Sequence, residues 1–255
     1  MKKVLITGGS GKLGKEVVKV FSQDKNYIIY SPSHTEMDIT DGNVTAEKIK
    51  LFQPDILIHL AALTSPPRCE ANKQLAWKVN VVGTENIVDA LEKFCSNCYL
   101  VYMSTPCVFS GEDETPKDED YLIYPDNFYG LTKAIGEIVV KRSKLKWLII
   151  RGNFVPYEKW PYEKAFIDRK SNYLFAHQLA KGMKEVIEAG LRGIVHILGD
   201  KVLSMYELAR LCPNSENVGK LTLEEYYKEN PNSCKLTKNM VMESKRWKKY
   251  KIEEI

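Results

Sequence analysis

Val4-Leu5-Ile6-Thr7-Gly8-Gly9-Ser10-Gly11-Lys12-Leu13-Gly14 decides how this chain folds. An aliphatic run of strand type leads into glycines at 8, 11 and 14, after which Leu13, Val17, Val18 and Phe21 recur at helical spacing. Strand, glycine turn and helix in that order bring a helix N-terminus, with its unpaired N–H groups, against a phosphate. A glycine-rich loop alone is a weak signal. The strand before it and the helix after it supply the context that a dinucleotide site requires. Gly8, Ser10, Gly11, Lys12 and Leu13 are therefore expected to cradle a pyrophosphate.

The same alternation continues outward. Tyr27-Ile28-Ile29-Tyr30, Ile56-Leu57-Ile58, Tyr99-Leu100-Val101-Tyr102 and Trp147-Leu148-Ile149-Ile150 are short apolar runs. Amphipathic stretches separate them, such as the one with Val82, Ile87, Ala90, Leu91 and Phe94 at helical spacing. Near-continuous apolar strands between helices predict an α/β fold, a doubly wound parallel sheet covered on both faces. After Arg151 the rhythm breaks into aromatic, proline and charged residues between Pro156 and Tyr173. A helix, a strand around Ile194 to Leu198 and a helix from Met205 follow. We expect a nucleotide-binding domain over 1–150 and a small substrate-binding portion over 151–255, packed on the first.

The chain has 255 residues, enough for a substantial core, and 37 basic against 33 acidic residues leave a net charge of +4. Only Lys245-Arg246-Trp247-Lys248-Lys249-Tyr250-Lys251 is locally basic, and it is expected to be a solvated helix face. No nucleic-acid partner is expected. No apolar run has membrane-spanning length and no signal-peptide pattern opens the chain, so a cytoplasmic protein without membrane attachment is expected. Six scattered cysteines then read as free thiols. Cys95 and Cys98 have redox or zinc spacing but lack a second pair, and no metal is expected.

Where an NAD-specific enzyme would carry an acidic residue after the second strand, the chain reads Ser31-Pro32-Ser33-His34. With no carboxylate among these four, Ser31 and Ser33 are expected to serve the cofactor, and NADP is favoured over NAD. A bland surface turn is the alternative. Tyr129-Gly130-Leu131-Thr132-Lys133 places a phenol and an amine four residues apart on one helix face. A free tyrosine titrates near pH 10, so it serves as an acid only with positive charge close by, which Lys133 supplies. The spacing is common by chance and carries little weight by itself.

Together with the glycine loop, the pair resembles the short-chain dehydrogenase/reductases, and the likeness runs over nearly the whole chain. It is strongest toward the extended branch that acts on nucleotide sugars. Its pieces, in order, are residues 7–14, Asp38-Ile39, His59-Leu60-Ala61-Ala62, Asn80-Val81-Val82-Gly83-Thr84, Ser104-Thr105 and residues 129–133. The resemblance implies a Rossmann fold, with Asp38 and Ile39 flanking the adenine and Leu60, Ala61 and Ala62 bordering the cofactor. It also implies that Thr105 hydrogen-bonds the reacting oxygen, that Tyr129 protonates it, and that Lys133 holds the nicotinamide ribose.

Within that branch, residues 37–41 and 61–64, Ser104-Thr105 with Val108-Phe109 and Gly111, and Gly193-Ile194-Val195-His196 look like the dTDP-4-dehydrorhamnose reductases. So does Ser204-Met205-Tyr206-Glu207-Leu208-Ala209. The implied reaction is reduction of the 4-keto group of a nucleotide-linked 4-keto-6-deoxy sugar, with Thr64, Thr105 and Phe154 against the sugar. A dimer is implied by the superfamily's pairing of helices across a two-fold axis. The chain departs from that family at Ser65-Pro66-Pro67-Arg68 and at Pro106-Cys107. Cys107 stands where GDP-fucose synthase and the plant-type epimerase-reductases carry a catalytic cysteine. Around 166–170, Lys170 falls one place from the latter's basic residue. Cys107 is thus either an acid-base group for epimerisation or a small buried apolar residue. Loss of enzymatic function, leaving a regulatory binding module, is a further alternative. So is a nucleotide-sugar 4-epimerase or dehydratase, although dehydratases of the branch usually place acidic residues where Pro106-Cys107 stand, which disfavours that activity.

His59 and His196 read as packed, satisfied histidines, and Arg151 as a brace behind the site. Tyr157, Trp160 and Tyr162, with Pro156 and Pro161, either stack on a nucleotide base or pack an irregular loop.

Overall fold

In a computed structural model, which describes residues 1–252, the apolar runs become strands. The first half runs β1 (Lys2–Thr7), α1 (Lys12–Ser22), β2 (Tyr27–Tyr30), α2 (Gly42–Phe52), β3 (Ile56–His59), α3 (Pro66–Ala71) and α4 (Lys73–Trp77). A π turn over 78–82 leads into α5 (Gly83–Phe94), then β4 (Tyr99–Ser104), α6 (Phe128–Arg142) and β5 (Lys146–Arg151). Local chemistry starts the helices: Asp41 accepts from the N–H groups of Asn43 and Val44 at the head of α2, and Ser65 caps α3 with proline in its first turn.

The second half carries β6 (Phe154–Val155), β7 (Lys164–Phe166), β8 (Lys170–Ser171), β9 (Leu174–Phe175), α7 (Ala176–Glu188) and β10 (Gly193–His196). It ends with β11 (Leu203–Ser204), α8 (Met205–Arg210), β12 (Gly219–Leu221), α9 (Leu223–Glu229) and β13 (Asn239–Met240). Ser204 with Glu207 and Thr222 with Glu225 form reciprocal caps on α8 and α9.

Six strands form one sheet in the order β10-β5-β4-β3-β1-β2, every pair parallel. Alternate residues of β1 feed opposite layers. Val4 and Ile6 join Val17 and Phe21 of α1 and Leu179 and Met183 of α7, whereas Leu5 joins Ile49, Ile87, Leu91 and Val140 under α2, α5 and α6. A doubly wound α/β sheet is what these runs predict. β10 returns from the second half to pair with β5, and α7 completes the first layer beside α1, so residues beyond 151 also build the main sheet.

The basic run near the C-terminus is a correction. Residues 245–251 form no helix, because Trp247 and Tyr250 turn inward onto the α1/α7 layer and Tyr250 donates to Glu185. Its charges are answered by Asp118 for Lys245, Asp120 for Arg246 and Glu185 for Lys248.

Candidate active site

β1 delivers the chain to Gly8, whose φ of +73° suits glycine, and whose Cβ, if present, would stand 2.6 Å from the backbone N of Ala61. A Cβ at Gly14 would stand 2.1 Å from the Gly8 carbonyl oxygen. The loop therefore lies against the exit of β3 with α1 starting directly behind it. Gly11 offers no side-chain cap, which leaves the first-turn N–H groups of α1 to an anion.

From this loop a cleft of about 700 Å³ runs across the carboxyl ends of β1, β3, β4 and β5. Gly8, Ser10, Gly11, Lys12, Leu13, Asp38, Ile39, Leu60, Ala61 and Ala62 line its nucleotide end, and Thr64, Thr105, Cys107, Tyr129, Lys133 and Phe154 its far end. Ser31 and Ser33 do not line it. The Ser33 N–H and hydroxyl both donate to Glu36, at 2.7 and 2.8 Å, and the residue of that turn that does reach the cleft is His34. Burial pushes the Asp38 carboxyl up, yet hydrogen bonds from Thr40 and the nearby His34 leave it below its usual range. It is thus an anionic acceptor at the nucleotide end.

The far end is assembled by α6 and the exit of β4. The Asn127 carboxamide oxygen accepts from the Gly130 N–H at 3.0 Å and starts α6, and a Cβ at Gly130 would meet the Cys107 carbonyl at 2.1 Å. Helix and turn are therefore in backbone contact. Thr105 follows β4, and its hydroxyl accepts from the Cys107 N–H at 3.2 Å. Burial, then the neighbouring Cys107, push the Tyr129 phenol well above its ordinary value, while a hydrogen bond from Thr105 favours its ionised form. Burial brings Lys133 down to about 7, against the opposing pull of Glu137. Its amine lies 3.9 Å from the centre of the Tyr102 ring.

Glu137, one turn beyond Lys133 and fully buried, accepts from Ser104 Oγ at 2.6 Å and from Arg151 Nε and Nη2 at 2.8 and 2.7 Å. Burial would raise its pKa, but Arg151 and Ser104 hold it ionised. Arg151 thus braces α6 against β4 and β5, as expected. His59 is buried with Nδ1 2.8 Å from Thr7 Oγ1 and Nε2 3.1 Å from Thr84 Oγ1, and burial holds it neutral, down to about 3. It packs and does not line the cleft.

Several lining residues were not anticipated. Arg169 and Tyr173 stand at the far end with Met240, whereas Lys170 is exposed and faces elsewhere. Trp160, Tyr162, Pro156 and Pro161, read from the sequence as either stacking on a base or packing a loop, edge the cleft, and Glu158 from the same loop pairs with Lys12 at 3.0 Å across its mouth. Asn80, in the π turn, accepts from the Leu63 N–H at 2.8 Å and donates to Thr132 at 2.9 Å, tying the segment before Thr64 to α6. Among the described residues no cluster of three or more His, Cys, Asp or Glu could hold a metal, and no helix is long and apolar enough to cross a membrane.

A family model described as the RmlD substrate binding domain matches residues 1–169. The chain belongs to the RmlD substrate binding domain family. Among curated relatives of this RmlD-family chain, dTDP-4-dehydrorhamnose reductase of Aggregatibacter actinomycetemcomitans is 31% identical over 151 residues, covering 59% of the chain and 51% of that protein. Methionine adenosyltransferase 2 subunit beta of Bos taurus is 27% identical over 248 residues, covering 85% of the chain and 73% of that protein. The structure of a dTDP-4-dehydrorhamnose reductase, an RfbD ortholog, of Clostridium acetobutylicum superposes with a TM-score of 0.82 at 27% identity, covering 94% of the chain and 90% of that structure. The resemblance read from the motifs thus extends to the fold and the family.

Proposed function

We propose that the chain is an NAD(P)H-dependent reductase of the 4-keto group of a nucleotide-linked 4-keto-6-deoxy sugar, with 1–150 as its cofactor-binding portion and Phe154, Arg169, Tyr173 and Met240 from 151–255 joining Thr64, Thr105, Tyr129 and Lys133 at the sugar end. The observation that carries this reading is the meeting of Thr105, Tyr129 and Lys133 in one cleft with the glycine loop at its other end. The residues fit a dinucleotide: Gly8 and Gly14 let the loop pack closely on the exit of β3 and on itself, and α1 behind it turns free N–H groups toward where a phosphate would lie. The bound nicotinamide supplies the hydride. Tyr129, kept protonated by burial, donates its proton to the carbonyl oxygen, and Thr105 orients that oxygen and eases ionisation of the phenol. Lys133 holds the ribose and, when charged, stabilises the phenolate that remains. Asp38 and Ile39 flank the adenine, and Thr64 and Phe154 contact the sugar.

His34 in the cleft favours NADP, since it can donate to a 2′-phosphate, although Glu36 beside Ser33 works against that charge. Replacing Tyr129 with Phe tests the reading. Turnover of a 4-keto-6-deoxy sugar nucleotide is expected to fall roughly a hundredfold or more, with the dissociation constants of NADPH and NADH unchanged and NADPH at least as tight. Near-normal turnover refutes the assignment of Tyr129. An inactive wild-type enzyme that still binds cofactor would point instead to a subunit without turnover, the kind of role that the name of the methionine adenosyltransferase relative suggests. Association as a homodimer belongs to the same reading and is checked by sedimentation.

A second reading, set against Cys107 as a small buried residue of the core, gives it an acid-base role in epimerisation at C3 or C5, whose hydrogens the 4-keto group acidifies. Its place in the cleft beside Tyr129 favours this, and Arg169, rather than Lys170, is the cation that lines the same end. In D2O without reductant, deuterium is expected at C3 or C5 and is lost in Cys107→Ser. No exchange above the buffer blank leaves a reductase alone.

A further inference from the structure

Tyr173 lies between β8 and β9 and is 2% exposed. Among the described residues, three buried side-chain oxygens have no hydrogen-bond partner, those of Tyr102, Tyr173 and Thr237, and only Tyr173 lines the cleft. A buried hydroxyl without a partner costs stability, and one carried by a residue of the cleft wall can be completed by a ligand atom.

The backbone around it is fixed. Ser171 pairs with β11 and β13, the Asn172 side chain accepts from the Met242 N–H at 2.9 Å, and the Leu174 N–H donates to the Asn153 carbonyl at 3.0 Å. The phenol is therefore preorganised. Burial pushes its pKa up, opposed by Arg169 and assisted by Cys107, so it is a protonated donor at neutral pH. Met240 bridges its two neighbours, with its sulfur 3.9 Å from Cys107 Sγ and 3.8 Å from Arg169 Nη2. Cys107 in turn stands beside Tyr129, which places the orphan hydroxyl at the sugar end of the cleft.

We propose that the Tyr173 hydroxyl hydrogen-bonds a ring hydroxyl of the sugar and is a specificity-determining residue of this site. The inference rests on the nucleotide-sugar reading. A site built to pair with a substrate hydroxyl rejects the analogue that lacks it, because its own buried group is then left unpaired. Here that group is a single phenol on a rigid connection.

The test compares wild type and Tyr173→Phe on a 4-keto-6-deoxy sugar nucleotide and on its 2-deoxy and 3-deoxy analogues. Loss of the phenol is expected to lower kcat/KM for the parent sugar by at least tenfold and to leave it nearly unchanged for one deoxy analogue, with NADPH affinity unaltered. Removing the orphan is also expected to raise the Tm of the ligand-free protein by a few degrees. A purely structural tyrosine would instead lower Tm and reduce activity on all three sugars alike. Equal activity of the two proteins on every sugar, or equal loss on every sugar, overturns the proposal while leaving the reductase reading intact. A wild-type protein that turns over none of the three removes both together.

Discussion

In the proposed reaction Lys133 faces conflicting demands: it would carry charge to steady a phenolate, yet it lies buried over the Tyr102 ring. Burial takes its pKa from 10.5 to about 7. In the unfolded chain the amine keeps its proton up to about pH 10.4, whereas the fold releases it near 7, so between these values the unfolded chain binds more protons and stability rises with pH. The destabilising charge is felt in full below pH 7. Lys133→Met is therefore expected to be more thermostable than wild type at pH 6, with an advantage that shrinks by about 1 kcal/mol per pH unit from 7 upward. Melting curves at pH 6, 7.5 and 9 check this, and a pH-independent difference contradicts it. Tyr129 and Lys133 were legible because their spacing survives in the sequence. Tyr173 was not, since its distinguishing feature is a missing hydrogen bond, which only the packed chain reveals. Arg169 was passed over for Lys170, because a two-residue strand leaves no pattern to tell which neighbour faces inward.

Among the elements, α6 bears the most consequence, because one face carries Tyr129, Lys133 and Glu137 while its glycines sit on Cys107 and Tyr102. The pair formed by Glu137 and Arg151 fixes that face to β4 through Ser104, the residue before Thr105. Arg151→Met leaves the buried Glu137 carboxylate with only Ser104 and Lys141, whose amine is 3.5 Å away, and is expected to cost about 3 kcal/mol, whereas the double replacement of Glu137 and Arg151 by Met recovers most of it. Thermal or urea unfolding of the three proteins decides. If the double variant is no better than the single, the pair is not acting as a buried ion pair. Long apolar strands and capped helices made the first half readable. Beyond β5 the short strands take partners far along the chain, β7 with β12 and β8 with both β11 and β13, so no local periodicity announces them.

At the scale of the molecule, the two halves share a sheet and a cleft. The C-terminal run illustrates what composition alone misses: seven residues read as a solvated helix face are an irregular strap whose two aromatics pack on the core and three of whose charges, on Lys245, Arg246 and Lys248, meet acidic partners. At the nucleotide end the glycine loop was legible from its own spacing and Asp38, Ile39 and Leu60 to Ala62 only through the resemblance, whereas Ser31 and Ser33 miss the cleft that His34 lines; at the sugar end Arg169, Tyr173 and Met240 converge only on folding. The ion pair that joins Lys12 to Glu158 spans these two ends, with both side chains more than half exposed. Such a pair contributes at most about 1 kcal/mol. In the proposed reaction an anionic nucleotide competes with Glu158 for Lys12, while the loop stays anchored by the buried Trp160, whose backbone N–H donates to Ser215 at 2.9 Å. That competition lowers affinity for the anion by a factor of about five at most, a penalty that added salt screens away.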